Sequence, residues 1–153
     1  MTKTPYEQVW EFHKAFEQPR YTYPSLPDKA RRELRQELLR EEYEEYKVGE
    51  EANDLVAIAD ALADMTYIIY GTGIEYGLPM DELFAEVHRS NMSKLDPVTG
   101  KPVYREDGKV MKPATYSRAD LATIIREHQE DYTYEFAPET PRGAHDGADS
   151  QRL

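Results

Sequence analysis

Apolar residues recur at helical spacing in four stretches of this chain, separated by polar and Pro/Gly punctuation. Val9, Phe12 and Phe16, with Trp10 and His13 among them, form the first stretch. Thr4-Pro5 reads as its start and Gln18-Pro19 as its stop. A loop holding Pro24 and Pro27 follows, and Asp28 is placed to cap a second helix reaching about Lys47, with Gly49 as the break. Asn53 or Asp54 caps a third helix over about 55–70. Gly71 and Gly73 either end it, or the pattern continues to Tyr76 with Gly77 as C-cap. A fourth helix runs from Pro79-Met80-Asp81 to about Met92.

Beyond Met92 the pattern changes. Pro102-Val103-Tyr104-Arg105 and Lys109-Val110-Met111 flank Glu106-Asp107-Gly108, a short hairpin signal with Asp-Gly in the turn. Ser117 with Asp120 resembles a cap before Leu121, Ile124 and Ile125. From Gln129 the chain turns acidic with Pro and Gly and little periodicity. The reading is all-α: an antiparallel bundle of about four to five helices with a short β-hairpin, completed by oligomerisation. It assigns a domain at 1–128 and an acidic tail at 129–153 that is disordered at its end.

Composition sharpens this picture. Hydrophobic residues make up 39% and charged residues 32% of 153, a low apolar share that leaves surface for a partner subunit to cover. A net charge of −11 argues against a duplex nucleic-acid binder, which needs a basic footprint. There is no cysteine, so disulfides and thiolate metal sites are excluded. The charged N-terminus does not read as a signal peptide, and no stretch reads as a membrane span. The expectation is a soluble cytoplasmic protein.

The candidate chemistry lies in acids that share a face with apolar residues. On the second helix Glu41, Glu42 and Glu45 fall within roughly a 100° arc that also holds Leu34 and Leu38. Glu37 and Glu44 point elsewhere. On the third helix Asp60 and Asp64 are i,i+4 neighbours on a face with Val56, Ala57, Tyr67 and Ile68. Carboxylates so placed are desolvated and mutually repelling, and a divalent cation removes both penalties. Mg²⁺ or Mn²⁺ suits oxygen ligands and brings phosphate with it.

A phosphate substrate also needs fixed positive donors. Arg89 and Lys94, at the end of the fourth helix, are the best placed, with Lys109 and Lys112 behind them. Asn91 can pair with a sugar hydroxyl or base edge. Trp10, Phe12, His13 and Phe16 offer either core packing or a stacking wall for a base.

Three further features extend the acid motif: Phe12-His13-x-Ala15-Phe16, the run 59–64 leading into Tyr70-Gly71, and the long run 86–94 followed by 104–110. With these, about 7–122 resembles the MazG-like, all-α NTP pyrophosphohydrolase superfamily, which includes the phosphoribosyl-ATP pyrophosphohydrolases and the dimeric all-α dUTPases. The resemblance implies a homodimer or tetramer with two or three Mg²⁺ or Mn²⁺ ions per site. It implies hydrolysis of a nucleoside triphosphate such as dGTP or dUTP at the α-phosphorus, releasing pyrophosphate. Glu41, Glu45 and above all Glu42 would serve the attacking water, and Asn91 and Lys94 the nucleotide. In one place the chain departs from the superfamily pattern Glu-x-x-Asp: Ala61 stands where that Glu would be, and Asp60 lies one residue earlier. The competing reading is a non-catalytic acidic helical interaction or metal-binding protein.

Overall fold

In a computed structural model, which describes residues 2–135, five helices follow in order: α1 Pro5–Ala15, α2 Lys29–Ala52, α3 Leu55–Glu75, α4 Met80–Met92 and α5 Leu121–Glu135. The architecture is all-α. No strand is present among the described residues. The expected hairpin reduces to an antiparallel bridge between Tyr104 and Val110, closed around Gly108 at φ +81°, beside a second bridge between Leu95 and Pro102.

Local chemistry explains most boundaries. The Thr4 hydroxyl accepts from the Glu7 N–H and the Glu7 carboxylate accepts from the Thr4 N–H, a reciprocal cap that starts α1. Asp28 caps α2 through the Arg31 N–H at 2.8 Å. Asn53 ends α2 in the left-handed region, and Asp54 begins α3 by accepting from the N–H groups of Val56 and Ala57. A two-residue link makes α2 and α3 an antiparallel pair. Gly77, at φ +66°, closes α3: its N–H donates to Ile74 O and the Leu78 N–H to Gly73 O. Asp120 caps α5 through the Thr123 N–H, whereas Ser117 binds Ser93 instead.

Three sequence expectations change. Gly49 does not break α2, which continues three residues past it, because a Cβ there would lie 3.1 Å from Ile58 across the helix seam. Of the two readings at Gly71 and Gly73, the second holds: α3 continues past both to Glu75 and closes at Gly77. A Cβ on Gly71 would stand 2.7 Å from Arg35 Nη2 and 2.9 Å from His13 Nε2, so the glycine admits two buried side chains. The acidic tail set at 129 begins inside α5, and residues 136–153 lie outside the described residues. Finally, α3 is long and apolar enough to cross a membrane by length and composition, contrary to the sequence reading. Its packing against α2 and α1, and its Asp60, Asp64 and Glu75, make it a bundle helix here.

The core of the single chain is small. Among the described residues Val9, Ala61, Ile74, Leu83 and Pro24 are buried apolar side chains, and they lie beside a polar knot. Glu75 is fully buried and accepts from Arg31 through Nε and Nη2, both at 2.5 Å, with Arg35 Nη1 at 3.4 Å. Arg35 also donates to Thr72 Oγ1 and Ile68 O. In contrast, Leu55 and Val56 at the start of α3 are 78% and 80% exposed, and Leu34, Tyr43 and Val48 on α2 are exposed too. One chain leaves much of the apolar surface of its longest helix pair uncovered.

Candidate functional site

The α2–α3 pair carries the acids. Glu41, Glu42 and Glu45 come from the middle of α2, and Asp60 and Asp64 from the first half of α3. Electrostatics ties the five together. Burial, followed by the charges of Glu45, Asp64, Asp60 and Glu41, pushes the Glu42 carboxyl above the usual carboxylate range. Glu42 Oε2 is buried and has no hydrogen-bond partner. The other four acids are exposed in the single chain, less desolvated than their helical faces predicted, because the apolar neighbours on those faces are uncovered as well.

Pairing separates these acids from the solvated ones. Glu37 is bound by Arg40 and Glu44 by Lys47, both on the same helix. Among the described residues none of Glu41, Glu42, Glu45, Asp60 and Asp64 has an ion pair or hydrogen bond. Nor does any group of three acidic or histidine side chains there close to metal-binding distance. Still, the donor set consists of hard oxygens, and one of them is buried without a partner, which is the environment a hard divalent cation fits. Ala61, at the family departure, is packed at 2% exposure, so the carboxylate beside it is the outward Asp60. A groove of about 390 Å³, lined by Glu44, Glu45, Val48, Gly49, Ala52, Asp54, Ala57 and Asp60, continues from the acids toward the α2–α3 link.

The basic residues divide into two groups. Arg89 is committed within the fold: it forms a two-point pair with Glu86 and donates to Arg118 O. That guanidinium and the Asp120 N–H pull Glu86 down to about 2. Arg89 therefore fastens the returning chain to α4, with its side chain 47% exposed. Lys94 donates to Asn91 Oδ1 at 2.7 Å, and Lys112 lies 4.5 Å from the Tyr116 ring centroid. Lys109 and Lys112 line a cavity of about 310 Å³ with Arg105, Val110 and Met111.

The aromatic wall also divides. His13 is an interior residue at 3% exposure. Its Nδ1 meets Pro19 O at 2.8 Å, and burial holds the imidazole below its usual pKa. This removes His13 from the base-contacting set, because its ring is enclosed by protein. Trp10 stacks on Tyr6 at 6.1 Å and lines a cavity of about 350 Å³ with Tyr6, Glu7 and Thr22, which shares no residue with the acid groove. Sequence reasoning missed the Arg31–Arg35–Glu75 knot. A signal was present: Arg35 precedes Glu42 by two helical turns and so shares its face of α2.

Fold and site define an all-α domain whose unpaired carboxylates sit on one antiparallel helix pair. Within that class the chain belongs to the phosphoribosyl-ATP pyrophosphohydrolase family, of the MazG-like all-α NTP pyrophosphohydrolase superfamily: residues 9–91, over half of the chain, match it. The uncharacterized protein L479 of Acanthamoeba polyphaga mimivirus is 26% identical in a match that covers 84% of this chain. The chain spans about half of that relative, 51% of its length. The solved structure of a candidate NTP pyrophosphohydrolase from Exiguobacterium sp. 255-15 is 26% identical. The match covers 88% of this chain and 99% of that one, at a TM-score of 0.45. The superposition is too loose to carry an argument, so family membership rests on the sequence match.

Proposed function

We propose that the protein is a nucleoside triphosphate pyrophosphohydrolase, acting on a (deoxy)nucleoside triphosphate such as dGTP or dUTP to give the monophosphate and pyrophosphate. The observation that carries this reading is the set of five unpaired carboxylates that includes Glu42, whose Oε2 is buried without a partner, on a chain of this family. Glu41, Glu42, Glu45 and Asp64, with Asp60 beside them, would hold Mg²⁺ or Mn²⁺. Bound there, the ions supply charge neutralisation and a lowered pKa for the attacking water.

The chain's own residues account for the rest. Glu42, already above the usual carboxylate range, is the acid best suited to take a proton from water directed at the α-phosphorus. Lys94 and Asn91 hold the nucleotide, and Lys109 and Lys112 extend the positive surface. Helix lengths are compatible with this. Asp64 precedes the end of α3 by about 16 Å of helical rise, and α4 rises about 20 Å from the following turn to the segment bearing Asn91 and Lys94. We further propose a homodimer or tetramer, supported by the exposed apolar residues of α2 and α3.

A panel of nucleoside triphosphates with Mg²⁺ or Mn²⁺, read by phosphate release after added pyrophosphatase, tests the activity. Turnover of at least one nucleotide, lost in Glu45→Ala with the fold retained, is the expected result. No pyrophosphate from any nucleotide would refute the reading and favour a non-catalytic metal-binding or interaction protein.

A further inference from the structure

Several cations of this acidic chain are spoken for. Arg31, Arg35, Arg40, Lys47, Arg89 and Arg105 each have a carboxylate partner. Among the described residues Lys94, Lys109 and Lys112 have none. Lys112 sits over one phenol, and Lys94 follows Ser93, whose hydroxyl binds the Ser117 backbone next to that phenol. Tyr116 lies under the Lys112 ammonium, and its hydroxyl accepts from Ser90 Oγ at 3.5 Å. That hydrogen bond, with the charges of Lys112 and Lys94, holds the phenol below the usual tyrosine range.

The placement is fixed by backbone contacts. The Ser117 N–H donates to Ser93 Oγ at 2.9 Å, Arg89 to Arg118 O at 3.2 Å, and the Asp120 N–H to Glu86 Oε1 at 2.8 Å. These contacts clamp the returning segment along α4 and set Tyr116 beside Ser90, which is buried. The aromatic face attracts the Lys112 cation and keeps it near a like charge that would otherwise repel it. A polyphosphate would satisfy both ammoniums at once, and the cavity lined by Arg105, Lys109 and Lys112 extends the same positive surface.

We propose that Tyr116 is a positioning residue that seats Lys112 beside Lys94 to form a polyphosphate subsite, an inference that rests on the nucleotide reading above. The ring acts through its face, so a phenylalanine should replace it and a leucine should not.

The test is calorimetric binding of inorganic tripolyphosphate to the full chain in EDTA at low salt, which removes the divalent site from the measurement. Binding by the wild type is expected, weakened about tenfold or more in Lys112→Ala and in Tyr116→Leu, but within about threefold of wild type in Tyr116→Phe. If any nucleotide is hydrolysed, Tyr116→Leu should raise KM more than it lowers kcat. No tripolyphosphate binding by the wild type would overturn the proposal. So would wild-type binding in folded Tyr116→Leu, or a Tyr116→Phe loss equal to that of Tyr116→Leu. If no nucleotide is turned over while the tripolyphosphate pattern holds, the activity falls and the subsite stands.

Discussion

Glu75→Ala removes the acceptor that three guanidinium nitrogens of α2 share at the end of α3. The two arginines left behind are not equivalent. The Arg31 side chain is 23% exposed and can recruit water, whereas the Arg35 side chain is 10% exposed and keeps only Thr72 Oγ1 and Ile68 O. Removing one member of a buried pair costs about 3–5 kcal/mol, because the survivor stays buried and uncompensated. The wetter Arg31 places the expectation near the lower end, about 3 kcal/mol. At about 2–4 °C per kcal/mol for a chain of this size, Tm falls by about 6–12 °C. Urea unfolding followed by far-UV circular dichroism, at one fixed protein concentration to hold any association constant, measures it. A paired replacement, Arg35→Met with Glu75→Met, should recover at least half of the loss, since apolar side chains of similar volume tolerate the site better than a lone charge. A Glu75→Ala chain within about 1 kcal/mol of wild type would refute the reasoning, and would mean that the knot is hydrated rather than closed.

Three further outcomes are expected. Gly71→Ala should cost a net of about 1–2 kcal/mol in the same unfolding assay despite alanine's better helix propensity, since its Cβ meets Arg35 and His13 inside normal contact distance; a stabilised variant would contradict this. His13 is held neutral by burial, so the folded chain binds fewer protons than the unfolded one below pH 6.5. Stability should therefore fall as pH drops from about 6.5 through the lowered folded value, and the wild-type minus His13→Gln difference in Tm should show that slope; a flat difference speaks against it. Glu42 has the opposite sign: its raised folded pKa makes the metal-free chain gain stability as pH falls through that value toward 4.5. Glu42→Gln should remove that gain and weaken Mn²⁺ binding about tenfold or more in calorimetry, and unchanged Mn²⁺ affinity would move the cation elsewhere.

What sequence alone determined here is what depends on neighbours along the chain. Thr4, Asp28, Asp54 and Gly77 mark helix ends because caps act within one turn. The acids could be placed on common faces because helical periodicity is local. The same geometry distinguished Glu37 and Glu44, which do pair with Arg40 and Lys47, from Glu41, Glu42 and Glu45. Tertiary structure decided the rest, because it depends on contacts between residues far apart in the chain. Gly49 looks like a helix breaker, and Gly71 leaves the helix end open, until Ile58, Arg35 and His13 are seen to occupy the space a Cβ would need. His13 looks like a base contact until Pro19 O and the interior of α3 enclose it. Arg89 looks like a free cation until Glu86 and Arg118 engage it. Tyr116 carried no sequence signal at all, since the return of the chain along α4 is what brings it to Ser90 and Lys112.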